Sequence, residues 1–573
     1  MKDKKIYSYH TFMFPFSIEF DTDKSSDDFL SRIHNLIKDE NWKYEEFKVN
    51  GFNGEIPNYN EWVYFYKPVQ KLLYNQKNLK DLTKKELKEK LKNELSLYYS
   101  YEGFDENKEN IYTILIRKKD KKLKIDSLKI YNLKIVGISL RIFRTGVGIL
   151  SFNLENYNYS DLKDINLIND YGRRIYPQYI SESEDCREKI SLEKVKNSFL
   201  ADKIKIKVDK KNREYSENFE SWDYKNKKIS KVILDILGKK FQLKKEKKDN
   251  ESIEIETIID DRMFTICWTG NNYYSKEFST IRNNDYSYCN NQEWEQYIFI
   301  DGNGSTCQSK NMLKELLKKS TYERWIDYGT LYGISRYSFV LLTSDYETLK
   351  ENHALYLTEH IRTMYYQLNV ICLMQRATIL NFKKRISEFL EDNGRDYKKI
   401  QIIQKDYLKF VNAMCFREIT AQEQGIELYN MSKEIMEIDQ SLRELESEIS
   451  ELNNFYALKK SEEDNERERK KSEEEKRKEK RINYLTVIGG SLVLPSFSIG
   501  IISLDKYKNI LNIYPFSIFN GLLGGILFII IPLLFYLIFI NNYISKDLEK
   551  KEVEKVSMFT FIFIVIIYLI IVA

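Results

Sequence analysis

The sequence predicts an α/β body followed by a long α-helical stalk with a coiled coil and then an α-helical transmembrane region. Three observations predict it. Short β-like runs broken by polar turns fill the chain to about Thr306, a proline-free helical pattern runs from near Arg395 to Pro495, and apolar segments without charge close the chain. With 573 residues the chain exceeds the ~250 to 300 residues that one hydrophobic core holds. Its mean hydropathy of -0.51 averages a polar body with an apolar tail.

The body is taken as residues 1–309. Ile111 to Arg117 (IYTILIR), Leu133 to Phe143 (LKIVGISLRIF) and Gly148 to Leu154 (GILSFNL) read as strands, and Asp81 to Tyr98 reads as a helix between them. At the N-terminus, MKDKKIYSYHTFMFPFSIEF, the residues Ser8, His10 and Ser17 interrupt the apolar stretch and no small-residue cleavage site follows. A strand is expected there rather than a signal peptide, with the body on the cytoplasmic side. Lys+Arg 91 against Asp+Glu 86 leaves +5, too balanced for a nucleic-acid coat, so no direct nucleic-acid partner is expected. The abundant Lys, Ile, Asn and Tyr fit an AT-rich coding sequence, which lowers the weight any single tyrosine carries. Cys186, Cys267, Cys289, Cys307, Cys372 and Cys415 form no CxxC pair and have no His at zinc-ligand spacing, so reduced, mostly buried thiols are expected.

Residues 310–394 are assigned to a helical layer: Tyr346 to Glu391 lacks Gly and Pro and stops at Asn393-Gly394. The stalk, 395–483, completes a helical hairpin. Within it Leu428, Met431, Ile435, Ile438, Leu442, Leu445, Ile449 and Leu452 alternate spacings of three and four, the seam of a coiled coil. From Lys459 to Arg481, 20 of 23 residues are charged and none is apolar, so no seam exists there. Pairs such as Glu463 with Arg467 and Glu473 with Arg477 have the favoured acid-before-base spacing of four, which supports a solvated helix; a disordered linker is the alternative. Unbroken, the arm would reach on the order of 160 Å.

The region 484–573 is expected to cross a membrane at about 484–504, 517–540 and 556–573, since a crossing takes ~20 apolar residues. Lys476 to Arg481, and Lys546, Lys550, Lys551 and Lys555, place the flanks of the first span and the second loop inside. The first segment carries Ser491, Ser496, Ser498, Ser503, paired glycines at 489 and 490, Gly500 and Pro495. That pattern suits close helix packing or a water-lined path; the serines bonding back to their own carbonyls is the other reading.

No GxxxxGK[ST], HExxH, GxSxG or GxGxxG occurs, so no enzyme, catalytic residue or metal centre is assigned. His353 and His360, seven apart, would lie ~10 Å apart on one helix, too far for one metal. Tyr171-Gly-Arg173-Arg174-Ile-Tyr176-Pro177 is the candidate ligand-binding motif. Two guanidinium forks beside the rings of Tyr171 and Tyr176 would clamp a phosphodiester and stack a base; a surface turn paired to local acids is the competing reading. Arg144, Arg336 and Arg376 are secondary candidates because they sit among apolar or aromatic neighbours, where an arginine needs an anionic partner.

Leu485 to Asp505, LTVIGGSLVLPSFSIGIISLD, together with the layout of body, helical layer, long helix and short second span, resembles the CorA family of divalent-cation channels. Where that family carries Gly-Met-Asn, this chain reads Ser503-Leu504-Asp505, a departure that bears on magnesium transport. Thr145 to Asn156 and Tyr171 to Pro177 resemble the divergent CorA-like proteins that accompany type III CRISPR systems. The resemblance implies a homo-oligomer, a pentamer by family, in the inner (cytoplasmic) membrane in contact with lipid. It implies no bound cofactor, with a divalent cation such as Mg2+ as cargo. Its implied activity is membrane permeation in antiviral defence, gated by a small nucleotide-type messenger, adenylated S-adenosylmethionine. Pore rings would then come from Ser496, Gly500 and Ser503, with Asp505 as an acidic ring. A divalent-cation transporter and a non-conducting, membrane-tethered binding protein are the alternatives.

Overall fold

The computed structural model describes residues 5–506 apart from 20–27, 39–40, 48–55, 75–76, 81, 103–109, 121–124, 175–199, 209–212, 219–228, 244–251, 261, 302–303, 305 and 392–396. The chain divides into two units, Met1–Phe455 and Tyr456–Ala573.

The described strands of the first unit are β1 (Ser8–Ile18), β2 (Trp42–Tyr44), β3 (Ser96–Tyr101), β4 (Ile111–Asp120), β5 (Ile125–Phe143), β6 (Val147–Asn156), β7 (Lys203–Val208) and β8 (Arg213–Asn218). They continue with β9 (Phe241–Leu243), β10 (Ile253–Thr257), β11 (Phe264–Gly270), β12 (Ile281–Arg282), β13 (Asp285–Tyr286), β14 (Thr321–Tyr322), β15 (Leu331–Ile334) and β16 (Ser338–Thr343). All but the β12–β13 pair join one sheet in the order β14-β15-β16-β11-β1-β6-β5-β4-β7-β8; β3 also pairs with β5 and carries β2, and β10 links β1 to β9. The β11–β16 and β9–β10 pairs are parallel.

The N-terminal segment is thus a central strand, as its broken apolar pattern predicts. Phe12, Phe14 and Phe16 alternate onto one face and are fully buried, each contributing about 1.5–3 kcal/mol. Pro15 lacks the N–H a central strand uses. Pairing with β11 ends at Met13 and pairing with β10 begins at Phe16, so the proline falls in the gap between the two partners. The 19-residue β5 shifts register between Ile135 and Gly137, a bulge that lets so long a strand bend.

Helices cover both faces. On one lies Met364–Glu391, fixed by Tyr366 Oη donating to Ser151 Oγ (3.0 Å) and by Asn381 Nδ2 donating to the Thr145 carbonyl (3.0 Å). On the other lies Leu162–Gly172, whose Asn169 Oδ1 is 2.7 Å from His10 Nδ1.

Several expectations are corrected. The helix expected at 81–98 spans only Lys84–Leu91, and Ser96–Tyr101 is β3. A body ending at 309 followed by a purely helical layer does not hold either, because β15 and β16 belong to the central sheet. Their runs are short and buried throughout, without the alternation that marks a half-exposed strand. Tyr346 to Glu391 is three helices, Tyr346–Glu351, Tyr356–Arg362 and Met364–Glu391. His353 turns left-handed (φ 54°) after the first, so it shares no helical face with His360. The arm from Arg395 is also interrupted. Helices Tyr397–Met414, Glu423–Ile435 and Ile438–Lys506 follow one another, the last junction turning at Glu437 with φ 54°. The seam folds into this same chain: Leu428, Ile438, Leu445 and Ile449 are buried within one copy.

The charged stretch 459–481 is helical, as its acid–base spacing predicts, and its side chains are exposed. The transmembrane region is the largest correction. Among the described residues no helix is long and apolar enough to cross a membrane. That overturns the expected transmembrane part of the fold, the ion channel and the multi-pass location in the inner membrane. Ile438–Lys506 is the described helix that enters the first expected span. Its described side chains end at Thr486 and Gly489, and up to Arg481 they are charge-dominated, whereas a crossing takes about 20 apolar residues. The expected spans 517–540 and 556–573 lie outside the described residues. Ser496, Gly500, Ser503 and Asp505 lie on the described helical backbone, but their side chains lie outside what is described.

One buried histidine makes stability pH-dependent. His34, on helix Phe29–Ile37, has its Nδ1 3.0 Å from Tyr99 Oη, with the Tyr44 ring edge-on at 5.6 Å. Burial, with Lys38 adding to it, lowers its pKa to about 4. Folded His34 therefore stays neutral while the unfolded chain takes up a proton near pH 6.5. Its stability contribution is present above pH ~6.5 and is lost as pH falls toward 4, on the order of 3 kcal/mol in all. Between pH 7 and 5, His34→Gln should lose less stability than the parent chain in denaturant titrations; equal losses would exclude His34 as the titrating group.

Candidate functional site

The helix Leu162–Gly172 starts at Asp161, whose side chain accepts from the Lys163 N–H, as an N-cap aspartate does. Its inner face is pinned by a chain of polar side chains: Asn156 Nδ2 donates to Ser8 Oγ (2.8 Å), and Ser8 Oγ lies 2.8 Å from His10 Nε2. His10 Nδ1 then meets Asn169 Oδ1. At the far end Tyr112 Oη donates to the Gly172 carbonyl (2.9 Å). Only glycine fits there, because a Cβ at 172 would come 2.8 Å from both Phe12 and Ile114. The helix therefore delivers Asp170, Arg173 and Arg174 to a fixed place.

That place is interior. Tyr171 is fully buried, Arg173 is 1% exposed and Arg174 6%, so the described part of the motif, Tyr171 to Arg174, is not a surface turn. It does pair with a local acid: Asp170 Oδ1 lies 2.8 Å from Arg174 Nη2 and 3.8 Å from Arg173 Nη2. Arg173 Nη2 also donates to the Ile300 carbonyl (3.2 Å). Ile300 adopts φ 57°, ψ 53°, a left-handed conformation that is a strained choice for a β-branched residue. Arg173 Nε and Nη1 have no hydrogen-bond partner among the described residues. Burial lowers the Arg173 pKa to about 10, only partly countered by Asp170 and worsened by Arg262 and Arg174. Tyr176 lies outside the described residues.

The strand β11 brings up the next arginine. Arg174 and Arg262 pair as an antiparallel bridge, and the Met263 N–H donates to the Arg173 carbonyl (2.6 Å). Arg262 is held by Asp260 at 2.6 Å and lies over the Tyr337 ring at 4.9 Å. Arg376, from helix Met364–Glu391, lies over the same ring at 5.3 Å and donates through Nη1 to the Arg336 carbonyl (2.7 Å). Burial lowers the Arg376 pKa, and Arg336 lowers it further. The Arg336 side chain, 46% exposed, pairs with Glu437.

Among the described residues, five guanidinium groups, Arg173, Arg174, Arg262, Arg336 and Arg376, gather with the four carboxylates Asp170, Asp260, Asp301 and Glu437. Tyr337 is an aromatic face shared by two of the arginines. Such a set suits an anion, since guanidinium forks bind phosphate bidentately and a ring adds stacking. Arg336 and Arg376 were flagged by their apolar surroundings in sequence. Arg262, Asp260 and Tyr337 were not, and their only signal is position: an acid–arginine run just before β11 and an Arg-Tyr turn just before β16. Arg144 is elsewhere; its Nη2 donates to the Leu91 carbonyl (3.1 Å) at the end of helix Lys84–Leu91. Among the described residues no group of acids, cysteines and histidines is placed to hold a metal ion.

No protein-family model, curated protein or solved structure matches the chain.

Proposed function

We propose that the unit Met1–Phe455 is a sensor that binds a small anionic ligand of nucleotide type at the arginine cluster around Tyr337, with binding rather than catalysis as its role. The observation that carries this reading is Arg173: a buried guanidinium with two donor nitrogens, Nε and Nη1, unpartnered among the described residues. An unsatisfied buried donor costs about 1–3 kcal/mol, more when charged, and a phosphate oxygen would remove that cost. Tyr337 and Arg376, both half-buried, supply a ring and a further charge for a base and its phosphate. The CRISPR-associated resemblance adds the ligand class, a nucleotide messenger such as adenylated S-adenosylmethionine, and a setting in antiviral defence. Self-association into a homo-oligomer stays part of the reading; its contacts come from surfaces other than the buried seam residues.

Calorimetric titration of the full chain with adenylated S-adenosylmethionine, ATP, pyrophosphate and adenosine tests it. Phosphate-bearing probes should bind and adenosine should bind far more weakly. Tyr337→Ala and Arg376→Ala should each weaken binding about tenfold or more, the scale of a lost charged hydrogen bond or stacking contact. Unchanged affinity in both variants would refute the site.

A further inference from the structure

We propose that the β4–β5 hairpin and the adjoining strand β7 form a docking surface for the backbone of double-stranded DNA. The near balance of charge over the whole chain, +5 in all, hides a local excess. The segments 117–120, 125–134 and 203–208 of these three strands carry eight basic residues against two acids, Asp120 and Asp126.

The sheet register sorts part of that charge onto one face. Tyr112, Ile114, Tyr131, Leu133, Ile204 and Ile206 point into the core and are at most 4% exposed, so their neighbours along each strand point outward. In β7 these are Lys203, Lys205 and Lys207, which stand opposite Leu115, Thr113 and Ile111 of β4. Ile111 in turn stands opposite Lys134 of β5. Thr113 Oγ1 donates to Asn132 Oδ1 (2.8 Å), so β4 and β5 present that face together. At ~3.4 Å per residue the lysines of β7 are ~7 Å apart, which steps with every second phosphate of a duplex strand rising ~3.4 Å per nucleotide. Among the described residues acids meet this face at its margins. Glu214 pairs with Lys205 (2.7 Å), Asp202 with Arg117 (3.0 Å), and Glu155, opposite Lys134, is turned to Arg362 (3.6 Å).

The hairpin carries the face beyond the sheet. Pairing of β4 with β7 stops at Leu115 and pairing of β5 with β6 starts at Lys134. Among the described strands, residues 116–120 and 125–133 therefore pair only with each other. On this arm Leu128 and Ile130 are 52% and 45% exposed, and they stand opposite Arg117 and Leu115. A two-stranded ribbon fits the ~12 Å major groove of B-form DNA, where apolar side chains meet thymine methyl groups, while basic side chains beside it reach the flanking phosphates. The narrow major groove of duplex RNA does not admit such a ribbon. No aromatic ring stands among the outward residues of these strands, so the stacking that holds single strands is missing.

Fluorescence anisotropy of the full chain, over a salt series, tests the surface with a labelled DNA duplex and with the RNA duplex and the DNA single strand of the same sequence. The DNA duplex should bind tightest, with log K falling against log salt at a slope of about -4, the value for four to five phosphates contacted. Lys203→Gln combined with Lys207→Gln should flatten that slope by about two and weaken binding about tenfold or more, equally for duplexes of other sequence. Leu128→Asp combined with Ile130→Asp should weaken binding through the arm. All four side chains lie outside the core, so the denaturant unfolding transition should stay where it is in the parent chain. Arg376→Ala, at the arginine cluster, should leave duplex binding unchanged; a loss there would place the DNA at that cluster and overturn the assignment. An unchanged salt slope in the lysine variant, or an RNA duplex or single strand bound as tightly as the DNA duplex, would overturn it as well.

Discussion

Arg173→Met should make the protein more stable and at the same time abolish binding of the proposed anionic ligand. The folded chain holds the Arg173 guanidinium out of water at 1% exposure, sharing one carboxylate with Arg174 and leaving two donor nitrogens unmatched among the described residues. Replacing a buried charge with an apolar side chain of similar length is commonly neutral or stabilising by about 1–4 kcal/mol. The usual penalty for breaking a buried pair does not arise, because Asp170 keeps Arg174 at 2.8 Å. What is lost is one bond to the Ile300 carbonyl. Binding is a different matter: two charge-assisted hydrogen bonds to a phosphate are together worth about 3 kcal/mol or more, at least a hundredfold in affinity. Denaturant unfolding and calorimetry on one preparation give both signs. A purely structural arginine predicts the reverse, a destabilised chain with unchanged affinity at the rest of the cluster.

The second large effect concerns the heptad pattern. Ile438→Asp combined with Leu445→Asp should unfold the unit Met1–Phe455 rather than merely separate subunits. Both side chains are buried within a single copy, at 2% and 0% exposure. The turns that carry them are tied to helix Met364–Glu391 by Lys383, which lies 3.2 Å from Glu444 and 3.9 Å from Glu448. Removing each apolar side chain costs about 2–5 kcal/mol, and placing a carboxylate in the same space adds a desolvation penalty. Together these approach the whole stability of a domain, about 5–15 kcal/mol. Loss of the cooperative melting transition, read by circular dichroism, is the expected result. A preserved transition with a smaller mass in light scattering would show instead that the seam faces a second copy.

How far the sequence revealed this protein depends on the segment. β4, β5 and β6 were legible because Ile, Leu and Tyr alternate with polar residues along strands that are buried on one side or bounded by turns. β15 and β16 were not, since four- and six-residue strands buried on both faces carry no period to detect. The break at Glu437 was invisible for the opposite reason: the three-four spacing of apolar residues continues straight through it, and no glycine marks the left-handed residue. At the candidate site the Gly-Arg-Arg motif stood out by composition. Its surroundings did not, because Arg262 and Tyr337 come from turns before two strands that only the sheet order brings beside Arg173. The environment of the motif was also misjudged, as a doublet of arginines gives no hint that a helix will drive it into the interior.

The place of β1 in the sheet sets the order in which this chain can complete itself. Residues 8–18 leave the ribosome well before their partners, since one side of that strand pairs with residues 147–156 and the other with residues 255–257 and 264–269. At about 5–20 residues per second, the strand waits many seconds for its partners, with Phe12, Phe14 and Phe16 uncovered. Contacts of such long sequence separation also form slowly once the partners exist. The nascent chain therefore carries an uncovered apolar strand while about 250 further residues are made, and slower translation up to residue 269 prolongs that exposure rather than relieving it.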